Sequence, residues 1–212
     1  FTALPEEYSH LYLCLVGRLA AEICIADPLR KEAKAAIEAL HACGISKVVM
    51  MTGDNRKTAQ AVAREVGVDQ FYADVLPEDK ASFIRQEKAA GRKVIMIGDG
   101  VNDTPALSEA DVGIAINTGA AIAREIADVT IASEDLFELV TLRKISQALM
   151  NRIHRNYRFI VGFNCMLIAL GVAGVIQPTT SALLHNASTL GISLDSMTDL
   201  LDKEKECKEP EA

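Results

Sequence analysis

The sequence predicts an α/β fold, a doubly wound parallel sheet followed by a long helix and a transmembrane α-hairpin. Three observations carry that expectation. Strand-like and helix-like stretches alternate from residue 48 to residue 131, and parallel strands need crossover helices to join them. Gly, Asp, Thr and Lys residues gather just past the apolar strands, where open α/β sheets bind their ligands. Beyond residue 136 the alternation stops and long helical stretches take over.

The elements follow in order. Residues 11–16 and 21–25 flank Gly17-Arg18 and read as a β-hairpin. Residues 30–42 place Ala33, Ala36, Ile37 and Leu40 at the spacing of an amphipathic helix, which Cys43-Gly44 stops. Strands are then expected at 48–51, 71–73, 94–97, 112–115 and 129–131, and helices at 58–66, 78–90, 104–109 and 120–126. Pro77 and Pro105 suit the first turns of their helices. Residues 137–156 read as a long amphipathic helix ending in the basic run Arg152, His154, Arg155 and Arg158. Residues 159–176 carry no charge, and about eighteen residues is near the minimum for crossing a bilayer. Gln177-Pro178 breaks the run, and 179–197 forms a second, more polar span. The basic run places that end in the cytoplasm, and a hairpin returns the acidic tail to the same side.

The chemistry-bearing residues lie at strand ends. Val94-Ile-Met-Ile-Gly-Asp99-Gly-Val-Asn102-Asp103 puts two carboxylates at the carboxyl end of a strand expected to be buried. Paired carboxylates there suit Mg²⁺, a hard cation that prefers carboxylate, water and phosphate oxygen. Gly98 and Gly100 let the backbone approach closely. Thr52-Gly53-Asp54-Asn55 follows the strand ending at Met51, and its hydroxyl can donate to a phosphoryl oxygen. Between them, Leu76-Pro77-Glu78-Asp79-Lys80 offers a compact cation to a phosphate. Singly these are a cap, a turn and a solvated lysine; in this order, each beside its own strand of one sheet, they outline a phosphate site.

TGDN, LPEDK and GDGVNDTPAL resemble the last three of four active-site motifs of the haloacid-dehalogenase phosphotransferase fold, in the form seen in heavy-metal-transporting P-type ATPases. The resemblance covers roughly residues 12 to 200 and implies a haloacid-dehalogenase-like (Rossmann-like) sheet. It implies that Asp99 and Asp103 hold Mg²⁺, that Asn102 supports them, and that Thr52, Gly53, Asp54 and Lys80 bind the phosphoryl group. Asp27-Pro28-Leu29-Arg30 resembles the hinge of such a pump. On this reading residues 1–26 return from a nucleotide-binding domain that binds most of the ATP. Residues 27–136 are then the carboxyl-terminal part of the phosphorylation domain, 137–198 the long helix and two membrane helices, and 199–212 a disordered acidic tail.

Neither Asp-Lys-Thr-Gly-Thr nor Asp-x-Asp occurs in the 212 residues, so the covalent step has no nucleophile here. The chain is expected to be the carboxyl-terminal piece of a pump in the cell membrane, inactive alone, with the amino-terminal half as partner. A free-standing phosphatase and a non-catalytic partner subunit are the alternatives. The net charge of -7 argues against nucleic acid as a partner. Five cysteines without a CxxC or Cys/His cluster carry no zinc-finger or disulfide-framework signal. In the hairpin, Asn164, His185, Asn186, Ser188 and Thr189 are polar at membrane depth, which marks a functional or interhelical role. Imidazole suits transition metals and hydroxyl or amide oxygens suit harder ions. The resemblance makes these the residues that meet the transported ion, whose identity stays open.

Overall fold

The structure, a computed structural model, describes residues 9–25, 29–98, 101–116, 125–132 and 135–200. The expected hinge at Asp27-Pro28, the carboxylate Asp99, most of the helix at 120–126 and the tail from 201 lie outside the described residues. The chain divides into two compact units, Phe1–Val140 and Thr141–Ala212.

In the first unit, strands β1 (Ser9–Leu15) and β2 (Arg18–Ile25) form an antiparallel hairpin. Helix α1 (Ala33–Ala42) buries Ala33 and Ala36 and ends at Gly44, whose φ of 84° is open to glycine. Strand β3 (Val49–Met51) leads to α2 (Arg56–Val66), which Asn55 caps by accepting from the Lys57 and Thr58 N–H groups. Ala59, Ala63 and Val66 are its buried stripe. Strand β4 (Gln70–Tyr72) pairs parallel with β3. Helix α3 (Pro77–Ala89) starts on Pro77, and its Asp79 carboxylate accepts from Leu76 N–H at 3.2 Å. Strand β5 (Ile95–Gly98), a 3₁₀ turn (Val101–Asp103), α4 (Thr104–Glu109), β6 (Val112–Ile116) and β7 (Val129–Ile131) complete a three-stranded parallel sheet in the order β5-β6-β7.

Ile84 of α3, Met96 of β5, and Ala106 and Leu107 of α4 form a buried cluster that lays both helices on one face of the sheet. Gly113 of β6 passes so close to α4 that a Cβ there would stand 2.7 Å from the Leu107 carbonyl oxygen. The β5/β6 register is pinned by Asp111, which accepts from Val94 N–H at 3.0 Å and from Lys93 Nζ at 2.9 Å. The Lys93 hydrogen bond, and after it the Val94 N–H, holds the Asp111 carboxyl below its usual pKa.

Two expectations are corrected. The α/β class with parallel strands holds, but the described strands form separate parallel sheets, β3-β4 and β5-β6-β7, not one. Among the described strands nothing pairs with the outer edge of β5. Nor is β5 buried throughout: Met96 and Gly98 are covered, while Ile95 and Ile97 are 44% and 40% exposed.

Helix α5 (Phe137–Val172) starts in the first unit, where Leu139 and Val140 are buried, and continues into the second. Its 36 residues are unbroken where two helices were expected, because no Gly or Pro interrupts 156–159. The second unit turns at Gly174, φ 71°, and returns as α6 (Pro178–Ser196). Arg152 caps the carboxyl end of α6, donating to the Ser196, Thr198 and Asp199 carbonyls at 3.2, 2.7 and 2.8 Å. Arg155 pairs with Asp195. No helix among the described residues is long and apolar enough to cross a membrane. The uncharged run 159–176 leaves the helix at Val172, so its helical part rises only about 21 Å at 1.5 Å per residue. A hydrocarbon core is about 30 Å thick.

Candidate functional site

Lys80 and Asp103, separated by 23 residues, meet across the start of α3 and α4. Lys80 Nζ donates to Asp103 Oδ1 at 2.7 Å, and the two side chains are only 16% and 13% exposed. Ile84, Ala106 and Leu107 hold the helices side by side. At their far end Lys88 Nζ donates to the Glu109 carbonyl at 2.6 Å. The ion pair is therefore fixed by helix packing and does not depend on two free side chains finding each other.

Gly98, the last residue of β5, makes room for Asp103. A Cβ at Gly98 would lie 2.7 Å from Asp103 Cβ and 2.8 Å from its Oδ2. Asn102 is exposed beside Asp103. Thr104 opens α4, and its Oγ1 is buried without a hydrogen-bond partner, the one such side-chain atom among the described residues.

The Thr52 segment is organised separately. Thr52 N–H donates to the Tyr72 carbonyl at 3.0 Å, Val75 N–H to the Thr52 carbonyl at 3.0 Å, and Asp74 N–H to the Asp54 carbonyl at 2.9 Å. These bonds zip the loops after β3 and β4 together, with Asp74 at a φ of 55°. The Thr52 hydroxyl donates to Asp54 Oδ2 at 2.8 Å and accepts from Asp54 N–H at 3.1 Å. The hydroxyl proton expected to face a phosphoryl oxygen is here directed at Asp54. Gly53 is not forced by crowding, since a Cβ would meet only the Val75 carbonyl at 3.9 Å. The structure thus joins Thr52 with Asp54 just after β3, and Lys80 of α3 with Asp103 in the turn beyond β5.

Mg²⁺ needs few protein oxygens, with one or two carboxylates and waters sufficing. Among the described residues no three His, Cys, Asp or Glu side chains converge as a metal cage. What is present fits the looser demand: a mostly buried carboxylate, an adjacent amide and a buried hydroxyl lacking a partner, at the carboxyl end of a parallel strand.

In the second unit, His185 Nδ1 and Asn164 Oδ1 lie 2.8 Å apart, joining α5 to α6. Ser188 Oγ and Thr189 Oγ1 donate to the His185 carbonyl at 2.8 and 3.0 Å. Asn186 is exposed on the same turn, and Asp195, engaged by Arg155, lies away from this cluster.

Residues 2–111 match the family model for haloacid dehalogenase-like hydrolases. The chain is 47% identical to Copper-transporting ATPase 2 of Rhizobium meliloti (strain 1021) over 83% of its own length and 21% of that protein's. It is 38% identical to the Manganese-exporting P-type ATPase of Mycobacterium bovis (strain ATCC BAA-935 / AF2122/97), over 88% of this chain and 26% of that one. Among solved structures, the crystal structure of a zinc-transporting PIB-type ATPase in its E2.Pi state superposes with a TM-score of 0.80 at 29% identity. That match covers 90% of this chain and 31% of the other. The chain therefore spans about a fifth to a quarter of the length of these curated relatives.

Proposed function

We propose that this chain, which belongs to the haloacid dehalogenase-like hydrolase family, supplies the phosphate-binding side and a membrane hairpin of an ATP-driven heavy-metal pump. The observation that carries the reading is the Lys80–Asp103 pair at 2.7 Å, held at the carboxyl end of β5 by packed helices. Lys80 would offset the charge of a transferring phosphoryl group, and Asp103 keeps its ammonium extended toward that position. Thr52 would turn its hydroxyl from Asp54 to a phosphoryl oxygen, with Gly53 and Asn102 beside it. Mg²⁺, when bound by Asp99 and Asp103, would add positive charge against the same oxygens. Positioning and electrostatics of this kind supply most of phosphoryl-transfer catalysis.

The nucleophilic Asp would come on a further strand. The unpaired edge of β5, its exposed Ile95 and Ile97, and the separation of the two sheets support a place for that strand between β3 and β5. On this reading residues 27–136 form part of the phosphorylation domain and ATP binds mostly outside the chain.

The hairpin would lie in the membrane with its turn at the far face and Arg152, Arg155 and Arg158 at the cytoplasmic one. Phe159, Ile160, Ile168, Leu183, Leu190 and Leu194 are 40% to 68% exposed, an apolar surface that water does not favour. The uncharged residues 173–176 lengthen the apolar run past the helix end. The transported ion would meet His185, Asn186, Ser188 and Thr189. With Asn164 Oδ1 accepting from Nδ1–H, the tautomer that pairs with an amide oxygen, His185 Nε2 would be left to ligate a transition metal.

The phosphate half of the reading is tested on the 212-residue chain in detergent. Mg²⁺ and inorganic phosphate together should raise its unfolding midpoint, as any ligand of the folded state does, whereas Mg²⁺ with chloride should raise it less. Equal midpoints in both salts contradict the phosphate site.

A further inference from the structure

We propose that the contact between the Tyr72 and Phe83 rings is a positioning brace, holding the Thr52 and Lys80 halves of the phosphate site at the separation that lets both reach one anion. The inference rests on the phosphate reading above and adds two positioning residues to it.

Thr52 and Lys80 belong to different elements. Thr52 follows β3, and Lys80 stands in the first turn of α3. The Thr52 loop is tied to the end of β4, since Thr52 N–H donates to the Tyr72 carbonyl and Val75 N–H to the Thr52 carbonyl, both at 3.0 Å. Lys80 is tied the other way, to Asp103 at 2.7 Å. Between the two halves runs the short elbow 73–76, which joins β4 to α3 and turns on Asp74 at a φ of 55°. That backbone fixes where α3 begins, but the angle at which the helix leaves the elbow depends on side-chain contacts. One such contact spans the elbow. Tyr72, the last residue of β4, and Phe83, three residues beyond Lys80 on α3, have ring centroids 5.1 Å apart and planes tilted by 56°. Residues three apart are neighbours on a helix surface, and tilted rings at this distance attract beyond the area they bury. Tyr72 thus holds the Thr52 loop by its carbonyl and the helix of Lys80 by its ring. It is 41% exposed, so loss of the ring opens no deep cavity and the chain should still fold. Binding groups must be held within about 0.5 Å of their working geometry, a tolerance that a helix pivoting at 73–76 would exceed.

Tyr72→Ala and Phe83→Ala each remove one ring, and Tyr72→Phe keeps it. Val66→Ala trims a buried side chain at the end of α2 far from the Thr52 loop and serves as the stability control. Inorganic phosphate is titrated calorimetrically into the full chain in detergent with Mg²⁺, and the melting of each variant is followed in parallel. Tyr72→Ala and Phe83→Ala are each expected to weaken phosphate binding by about three- to tenfold. The double variant should lose no more than the weaker-binding single one, because both changes break the same contact. Tyr72→Phe should bind like the unaltered chain, and Val66→Ala should lose stability without losing affinity. Unchanged affinity in Tyr72→Ala, or additive losses in the double variant, overturns the inference and leaves the phosphate reading standing. An equal affinity loss in Val66→Ala overturns it too, because affinity then follows stability alone. If the unaltered chain binds no phosphate, the phosphate reading fails first and the inference falls with it.

Discussion

Gly98→Ala is expected to weaken Mg²⁺-dependent phosphate binding by roughly ten- to a hundredfold while leaving the helical content in place. The added Cβ would stand 2.7 Å from Asp103 Cβ and 2.8 Å from Oδ2, distances that side-chain atoms do not occupy. Something must move, and β5 is held by its β6 pairing while α3 and α4 are packed on Ile84, Met96 and Leu107. The closest contact is Asp103 Cβ, which rotation about χ1 leaves in place, so the turn that carries Asp103 must shift away from β5. That shift breaks the bond to Lys80 and displaces an oxygen from the proposed Mg²⁺ position together. Overpacking of this kind costs about 1–3 kcal/mol of stability, which a domain can survive. The binding loss is larger in consequence: a hydrogen bond to a charged group carries about 1.5–3 kcal/mol, so affinity should fall by roughly ten- to a hundredfold. Titration calorimetry of phosphate in the presence of Mg²⁺ reads this directly. Unchanged affinity in Gly98→Ala would mean that Asp103 can be displaced without cost and is not part of the site.

Lys80→Met and Asp103→Leu separate structural from functional roles of the ion pair. Removing either partner alone leaves a mostly buried charge unpaired, which costs about 3–5 kcal/mol where burial is complete; at 13–16% exposure about 2–3 kcal/mol is expected. Replacing both with apolar residues of similar size is often neutral, so the double variant should recover most of the midpoint in denaturant melts. Phosphate binding should be lost in all three. If the double variant regains stability and also keeps phosphate affinity, the pair is only a helix clamp, like Lys88 with the Glu109 carbonyl at the other end of α3.

The parts legible in the sequence are those encoded locally. Pro77 at the start of α3, Asn55 before α2, and Gly44 after α1 act within one turn of chain, and helix ends fall near them. The loop after Met51 and the turn after Gly98 were likewise visible as composition, and so were Lys80 and Asp103 as types of residue. Their direct pairing was not, because it depends on how α3 and α4 lie on β5. Whether strands join one sheet was also not legible, since pairing is a long-range property that three-residue strands such as β3 and β4 cannot announce. The continuity of α5 was missed for a different reason: the change from amphipathic to uncharged at 156–159 altered the burial pattern without any Gly or Pro to break the backbone. The pairing of Asp195 with Arg155 joins residues 40 apart in sequence and needed the hairpin geometry.

Mg²⁺-dependent ATP hydrolysis is measured on the purified chain in detergent, alone and mixed with a polypeptide carrying the Asp-Lys-Thr-Gly-Thr half of a pump, with Asp99→Ala as control. No turnover is expected from the chain alone, which has no such motif, and the mixture should turn over ATP at a rate that rises with one transition metal and vanishes in Asp99→Ala. Hydrolysis by the chain alone, or a mixture whose activity ignores Asp99→Ala, would contradict the pump reading.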